Sequence, residues 1–149
     1  MTTDPVNRVG SQDMSAERRV YINNDLDIVT ARMQAREMAR QVGFGTADQA
    51  RISLAASELA RILAWTHGFE PRQLIMSPAT RDGAPGIQVS CLICFDPISE
   101  DSENNEAERL VKQNHSLEGA RQLVDESFIE PQDNKHARIT LVKWLTPSK

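Results

Sequence analysis

The segment "ISLAASELARILAWTHG", Ile52 to Gly68, sets one carboxylate, Glu58, among alanines, leucines and isoleucines. A carboxylate at the edge of an apolar helix can orient an attacking group or take a proton from it. A polar partner on the same helix face would stand three or four residues away. The residue four places on is Ile62, which has no oxygen to offer. The side chains left to engage Glu58 are Arg61, at i+3, and Arg51. Arg61 also suits the carboxylate of a binding partner, which a guanidinium grips through two parallel hydrogen bonds. A plain solvated surface role for Arg61 stands beside that.

Cys91 and Cys94, inside "IQVSCLICF", have the spacing of a redox or zinc motif. On a strand, side chains alternate faces, so residues three apart diverge, and the pair reads as two core thiols rather than a disulfide or a shared metal site. Zinc would need further ligands nearby, and His67, His115 and His136 show no ligand spacing. His115 and His136 are expected in surface loops. Trp65 and Trp144 are expected to pack in the core or at a sheet edge rather than to form binding hot spots.

The elements that would position these residues follow from the rest of the chain. At 149 residues, the sequence fits one domain with a single core. Its composition, 40% hydrophobic and 26% charged, is that of a globular protein. A net charge of -4 with a pI near 5.4 gives no field that gathers phosphate backbones, so no nucleic-acid partner is expected beyond what a local basic patch allows. "MTTDPVNRVGSQDMSAERR" has no apolar leader core, and no stretch reaches the roughly 20 apolar residues of a membrane span. A cytoplasmic protein with no membrane partner is the expectation.

Residues 1–17 read as a flexible polar tail, and 18–149 as the single domain. "RRVYI", Arg18 to Ile22, predicts a first strand. Asn24 or Asp25 caps a helix whose apolar positions Ile28, Ala31, Ala35, Met38, Ala39 and Val42 recur until Gly43. Thr46 and Gln49 form a capping-box pattern, so a second helix begins near Ala47 and ends near Gly68. "QLIMS" and "IQVSCLICF" make a hairpin turned at Asp82-Gly83. Its second strand points Ile87, Val89, Cys91, Ile93 and Phe95 to one face, and the apolar run from Cys91 to Phe95 implies burial on both sides there. An acidic segment, Glu100 to Glu108, leads to a short helix reaching about Gln113. A helix capped by Ser116 then buries Leu117, Ala120, Leu123 and Val124. A final hairpin turns at Asp133 to Lys135, with Ile139 and Leu141 inward and Lys143 outward. This order gives an α+β two-layer sandwich with helices on one face of a mostly antiparallel sheet.

That order, together with "DIVTARMQAREMARQVGFGTADQARISLAASELAR" from Asp27 to Arg61, "LEGARQLVDE" and "ARITLVKWL", resembles the small anti-sigma serine kinases of the GHKL ATPase superfamily, most of all the stressosome switch kinases. The resemblance implies the GHKL (Bergerat) sandwich and a role for Glu58 as the family's base, with an asparagine one turn later holding Mg²⁺. Here Ile62 stands at that metal position. The family's Asp-x-Gly-x-Gly reads "FDPIS", in which Asp96 keeps the place of the adenine acceptor but also fits the start of a turn. Ile98 replaces the first glycine. The glycine-rich phosphate loop reads "VKQNHS", with Lys112 and His115 as its only charge toward a phosphate. The acidic segment falls where the family has its lid over ATP, and it also fits a plain solvated loop.

The resemblance with its three departures implies a nucleotide-independent regulator that binds a STAS-domain protein, a sigma factor or a phosphatase regulatory domain, with no resident cofactor. The alternative it leaves is an active serine kinase using ATP and Mg²⁺ on a STAS-domain substrate, with Glu58 as base. A third possibility is a purely structural subunit, its empty pocket filled by side chains such as Ile62 and Ile98, with the sheet edge or the first helix making a homodimer.

Overall fold

A computed structural model describes residues 17–65, 72–94, 115–133 and 136–146. The tail 1–16, Asp96, Ile98, the acidic segment and Lys112 lie outside them. The elements are strand β1 (Arg18–Tyr21), helices α1 (Asp25–Val42) and α2 (Thr46–Trp65), strands β2 (Gln73–Arg81) and β3 (Ala84–Cys94), helix α3 (His115–Gln122), and strands β4 (Glu126–Pro131) and β5 (His136–Trp144). The five strands form one sheet in the order β1-β2-β3-β5-β4, and every ladder is antiparallel.

Register explains the core. Val20 pairs with Leu74, Leu74 with Cys91, Cys91 with Ile139 and Ile139 with Ile129, so one row of apolar side chains crosses all five strands on the helix face. Helices α1, α2 and α3 cover that row. Cys91 is fully buried there, and burial pushes its thiol up to about 12, which makes it an inert core residue. On β3, Ile87, Val89, Cys91 and Ile93 are buried as expected, but Leu92 is 37% exposed. Burial at Leu92 is therefore one-sided, because among the described residues no helix covers the opposite face of the sheet there.

Local chemistry sets the helix ends. Asn24 is the N-cap of α1: its Oδ1 accepts from the Asp27 amide at 3.1 Å, and Asp27 Oδ2 accepts from the Asn24 amide at 3.2 Å. At the other end Gly43 takes φ 117°, which lets its N–H reach the carbonyls of Ala39 and Arg40 and lets the chain turn into buried Phe44. Helix α2 starts one residue earlier than expected. Gln49 does not complete a capping box with Thr46; its Nε2 donates to the Phe44 carbonyl at 2.8 Å, tying the helix to the preceding turn. Helix α3 starts at His115, so Ser116 is its second residue and not its cap. It also stops sooner, since the Leu123 amide bonds back to Ala120 and leaves Leu123 and Val124 partly buried beyond the helix.

The β2–β3 hairpin has a two-residue turn, with φ 52° at Asp82 and 80° at Gly83, the positive angles that match strand twist. Two polar residues depart from expectation. Lys143 lies in step with Ala137, Ile139 and Leu141 and so faces the helix layer, only 14% exposed. Its Nζ sits 3.3 Å from Asp125 Oδ1 and 3.9 Å from Asp48 Oδ1 at the start of α2. Strand parity outweighs its charge because two carboxylates meet it at the strand's end. His136 opens β5 rather than lying in a loop, with a ring 17% exposed and its Nδ1 2.9 Å from Asp133 Oδ1.

On the sheet's open face, Trp144 lies opposite Gly86. Arg81 covers the indole, its Cζ 4.6 Å from the ring centroid, and donates to both oxygens of Glu126, which also accepts from Trp144 Nε1 at 3.1 Å. The group ties the β2–β3 turn to the far edge strand β4. The Arg81 guanidinium, with help from the indole N–H, holds the Glu126 carboxyl at about 2.

A Cβ at residue 86 would come 2.5 Å from Trp144 Cε3 and 2.6 Å from the Lys143 carbonyl. Gly86→Ala is therefore expected to cost about 1–3 kcal/mol, read as a lower midpoint in urea unfolding; an unchanged midpoint contradicts the packing. Glu126 has a depressed folded pKa, so its stabilisation is complete above the ordinary value of 4.5 and is lost as pH falls toward about 2. Melting temperatures of wild type and Glu126→Gln should differ above that window and converge within it.

Candidate functional site

Helix α2 is the centre of the candidate site, and its sequence fixes which side chains reach it. Ile52, Ala55, Ala56, Leu59, Ala60, Ile62 and Leu63 are all buried, along with Ser53 and Ser57. Small residues dominate that surface, so α1 and the sheet approach α2 closely. Ser57 costs little inside because its Oγ donates to the Leu54 carbonyl at 2.9 Å. Leu54, Glu58 and Arg61 are left on the open flank.

Glu58 is about three-quarters shielded, and its partner is Arg61 rather than Arg51. Arg61 Nη1 lies 3.4 Å from both carboxylate oxygens, a long contact between groups with side chains 24% and 34% exposed. Arg51 turns instead to Asp48, 2.9 Å away. A single carboxylate held by a neighbouring arginine on the same helix is a local ion pair of small energetic weight. It also occupies the guanidinium that a partner's carboxylate would otherwise find.

Ile62, one turn beyond Glu58, is 1% exposed and belongs to the hydrophobic core. A hard cation takes oxygen ligands in near-octahedral array, and an aliphatic side chain at this position supplies none. No group of three or more His, Cys, Asp or Glu side chains among the described residues could hold a metal ion. The residues present on α2 therefore do not fit Mg²⁺ where the family resemblance puts it. Of the other positions selected from sequence, Asp96 and Lys112 lie outside the described residues, and His115 is placed only as the first residue of α3. Among the described residues the structure brings together Glu58, Arg61 and Ile62. Among the described residues no helix is long and apolar enough to cross a membrane.

No family model matches the sequence. Over 142 residues the chain is 30% identical to the serine/threonine-protein kinase RsbT of Bacillus subtilis (strain 168), an alignment covering 89% of this chain and 99% of that protein. The chain belongs to the RsbT family. The fold agrees: it superposes on the RsbU and RsbW domains of Rv1364c from Mycobacterium tuberculosis with a TM-score of 0.60 at 18% identity, over 91% of this chain. This chain spans only 34% of that longer one. The SiaB–SiaC complex of Pseudomonas aeruginosa aligns more loosely, with a TM-score of 0.49 at 11% identity over 97% of this chain and 100% of that one. The α+β sandwich is thus the GHKL type found among the RsbT and RsbW proteins.

Within this RsbT family member, burial of residue 62 makes a direct prediction. Ile62→Asn, which installs the amide the family motif calls for, should lower stability by about 3 kcal/mol, because it removes core packing and buries an amide. Urea unfolding measures it. A near-neutral change would mean that residue 62 faces a solvated pocket instead.

Proposed function

We propose that this RsbT family member is a regulatory protein of a bacterial partner-switching pathway of the anti-sigma or stressosome type. It binds a STAS-domain protein, or a sigma factor or phosphatase regulatory domain in the same role, without turning nucleotide over. The observation that carries this reading is the state of α2: the family scaffold is kept from β1 to β5, while the residue one turn from Glu58 is an aliphatic core side chain. A chain that keeps a fold but replaces a metal ligand with isoleucine keeps the surfaces of that fold. Binding is what those surfaces can still do. The Mycobacterium tuberculosis protein, in which an RsbW domain shares a chain with an RsbU domain, supports such a role by analogy of fold.

A second reading has one observation in its favour. The Bacillus subtilis relative is named a serine/threonine-protein kinase, and Glu58 is present here at the family's base position. On that reading the chain phosphorylates a serine of a STAS-domain protein with ATP and Mg²⁺.

The two separate in one mixture. Purified chain and a STAS-domain protein of the same genome, combined with EDTA and no nucleotide, should coelute in gel filtration. Addition of γ-labelled ATP and Mg²⁺ should leave the partner unlabelled. Label on a partner serine that Glu58→Ala abolishes, with coelution retained, would establish the kinase instead.

A further inference from the structure

The exposed face of α1 is unlike the rest of the helix surface. Leu26 is 73% exposed, Met33 63% and Val29 39%, and their spacing of three and four places them in one stripe. Single exposed apolar residues are ordinary, but three large ones in one helical row form a patch. Arg32 and Arg36, one turn apart and both exposed, border the same stripe, each within three or four residues of Val29 or Met33. Neither makes an ion pair or hydrogen bond among the described residues. Farther on, Arg40 is engaged by Glu37, and in the first turn Asp27 is spent in the cap. Two guanidiniums with no partner among the described residues thus line one border of an apolar ridge, with Asp25 on the same border in the first turn, on a chain whose net charge is -4.

Beside the ridge, a cleft of about 510 Å³ separates α1 from the edge strand β1; Arg18, Tyr21, Thr30 and Gln34 are among its walls. Arg18 crosses it, donating to the side-chain amides of Gln34 at 2.6 Å and Gln41 at 3.2 Å. The ridge and cleft together make a surface with relief, about four turns long from Leu26 to Arg40.

We infer that this face of α1 is a docking surface for an amphipathic helix of a partner protein, one whose apolar ridge is flanked by glutamate or aspartate. Leu26, Val29 and Met33 take the partner's apolar side chains, and Arg32 and Arg36 take its carboxylates, where the fork of a guanidinium fixes register as well as charge. A second copy of this chain fits less well, because it brings the same surplus of arginine to the interface. The inference rests on the reading that the chain works by docking. It places that docking on α1, away from Glu58.

A synthetic helical peptide of about 20 residues, with leucine on one stripe and glutamate along both borders, tests the chemistry without a natural partner. Titrated into the full ¹⁵N-labelled chain, it should bind and shift the amides of Leu26 to Arg40. A peptide of the same pattern with lysine for glutamate should bind at least about tenfold more weakly. The double variant Arg32→Glu/Arg36→Glu should reverse that preference, and Leu26→Ser/Met33→Ser should weaken the acidic peptide by about tenfold or more. Equal binding of the two peptides, shifts centred elsewhere, or affinity untouched by both variants would overturn the inference. So would sedimentation showing a dimer that Leu26→Ser/Met33→Ser dissociates, since the ridge would then serve self-association. Because the probe is synthetic, failure of a STAS-domain protein to bind would count against the proposed function and leave this result standing.

Discussion

The burial of helix α2 is the constraint on which the rest of the domain depends. Its alanines and serines let α1, α3 and the sheet close on three sides of it, and among the described residues its second half keeps Leu54, Glu58 and Arg61 on the open flank. Close packing of this density transmits the size and polarity of each side chain to its neighbours. The five-strand apolar row from Val20 to Ile129 gives the helix layer its floor. Capping at Asn24 and the left-handed turn at Gly43 bring α1 back along α2 at the right distance. Lys143 closes the same layer at its rim, where it joins β5 to the start of α2 through Asp48.

In that setting Ile62 is a structural residue first. An asparagine there would need a polar opening in the layer, whereas isoleucine extends the apolar surface of α2 by one more turn. The Glu58–Arg61 pair fits the same picture. With nothing polar to engage one turn on, the carboxylate is satisfied by the arginine nearest on its own helix. A metal ligand and core packing make opposite demands on residue 62, and the side chain found there, 1% exposed, meets the second.

Much of this was legible because it is written in short-range pattern. The cap at Asn24, the stop at Gly43, the Asp82-Gly83 turn and the alternation of Ile87, Val89 and Cys91 each depend on neighbours in sequence. The order of elements, with the stretch from Asp27 to Arg61, also carried the family. Spacing offered Glu58 two arginines, and the structure chose Arg61 at i+3 over Arg51. What escaped depends on distant contacts. Lys143 was expected outward because it is charged, yet its strand parity turns it inward to carboxylates at 48 and 125. Arg81 and Glu126 are 45 residues apart, and nothing near either one announces the other or the indole between them. Leu92 stands exposed inside an apolar run because whether a sheet has a second layer is settled by the whole fold. Phosphate-loop and adenine positions at Asp96 and Lys112 lie outside the described residues, so the site's legibility rests on α2.

We propose, as the reading above requires, that an α2 packed around Ile62 leaves this RsbT family member without a working Mg²⁺–nucleotide site. Isothermal titration of the purified chain with ATP and Mg²⁺, beside a thermal-shift trace, tests it most directly. No binding heat and no change in melting temperature are expected. Clear heat with a raised melting temperature would contradict it, since a ligand at a hundredfold its Kd adds about 2.7 kcal/mol of stability. That result would return Glu58 to the active site of a kinase.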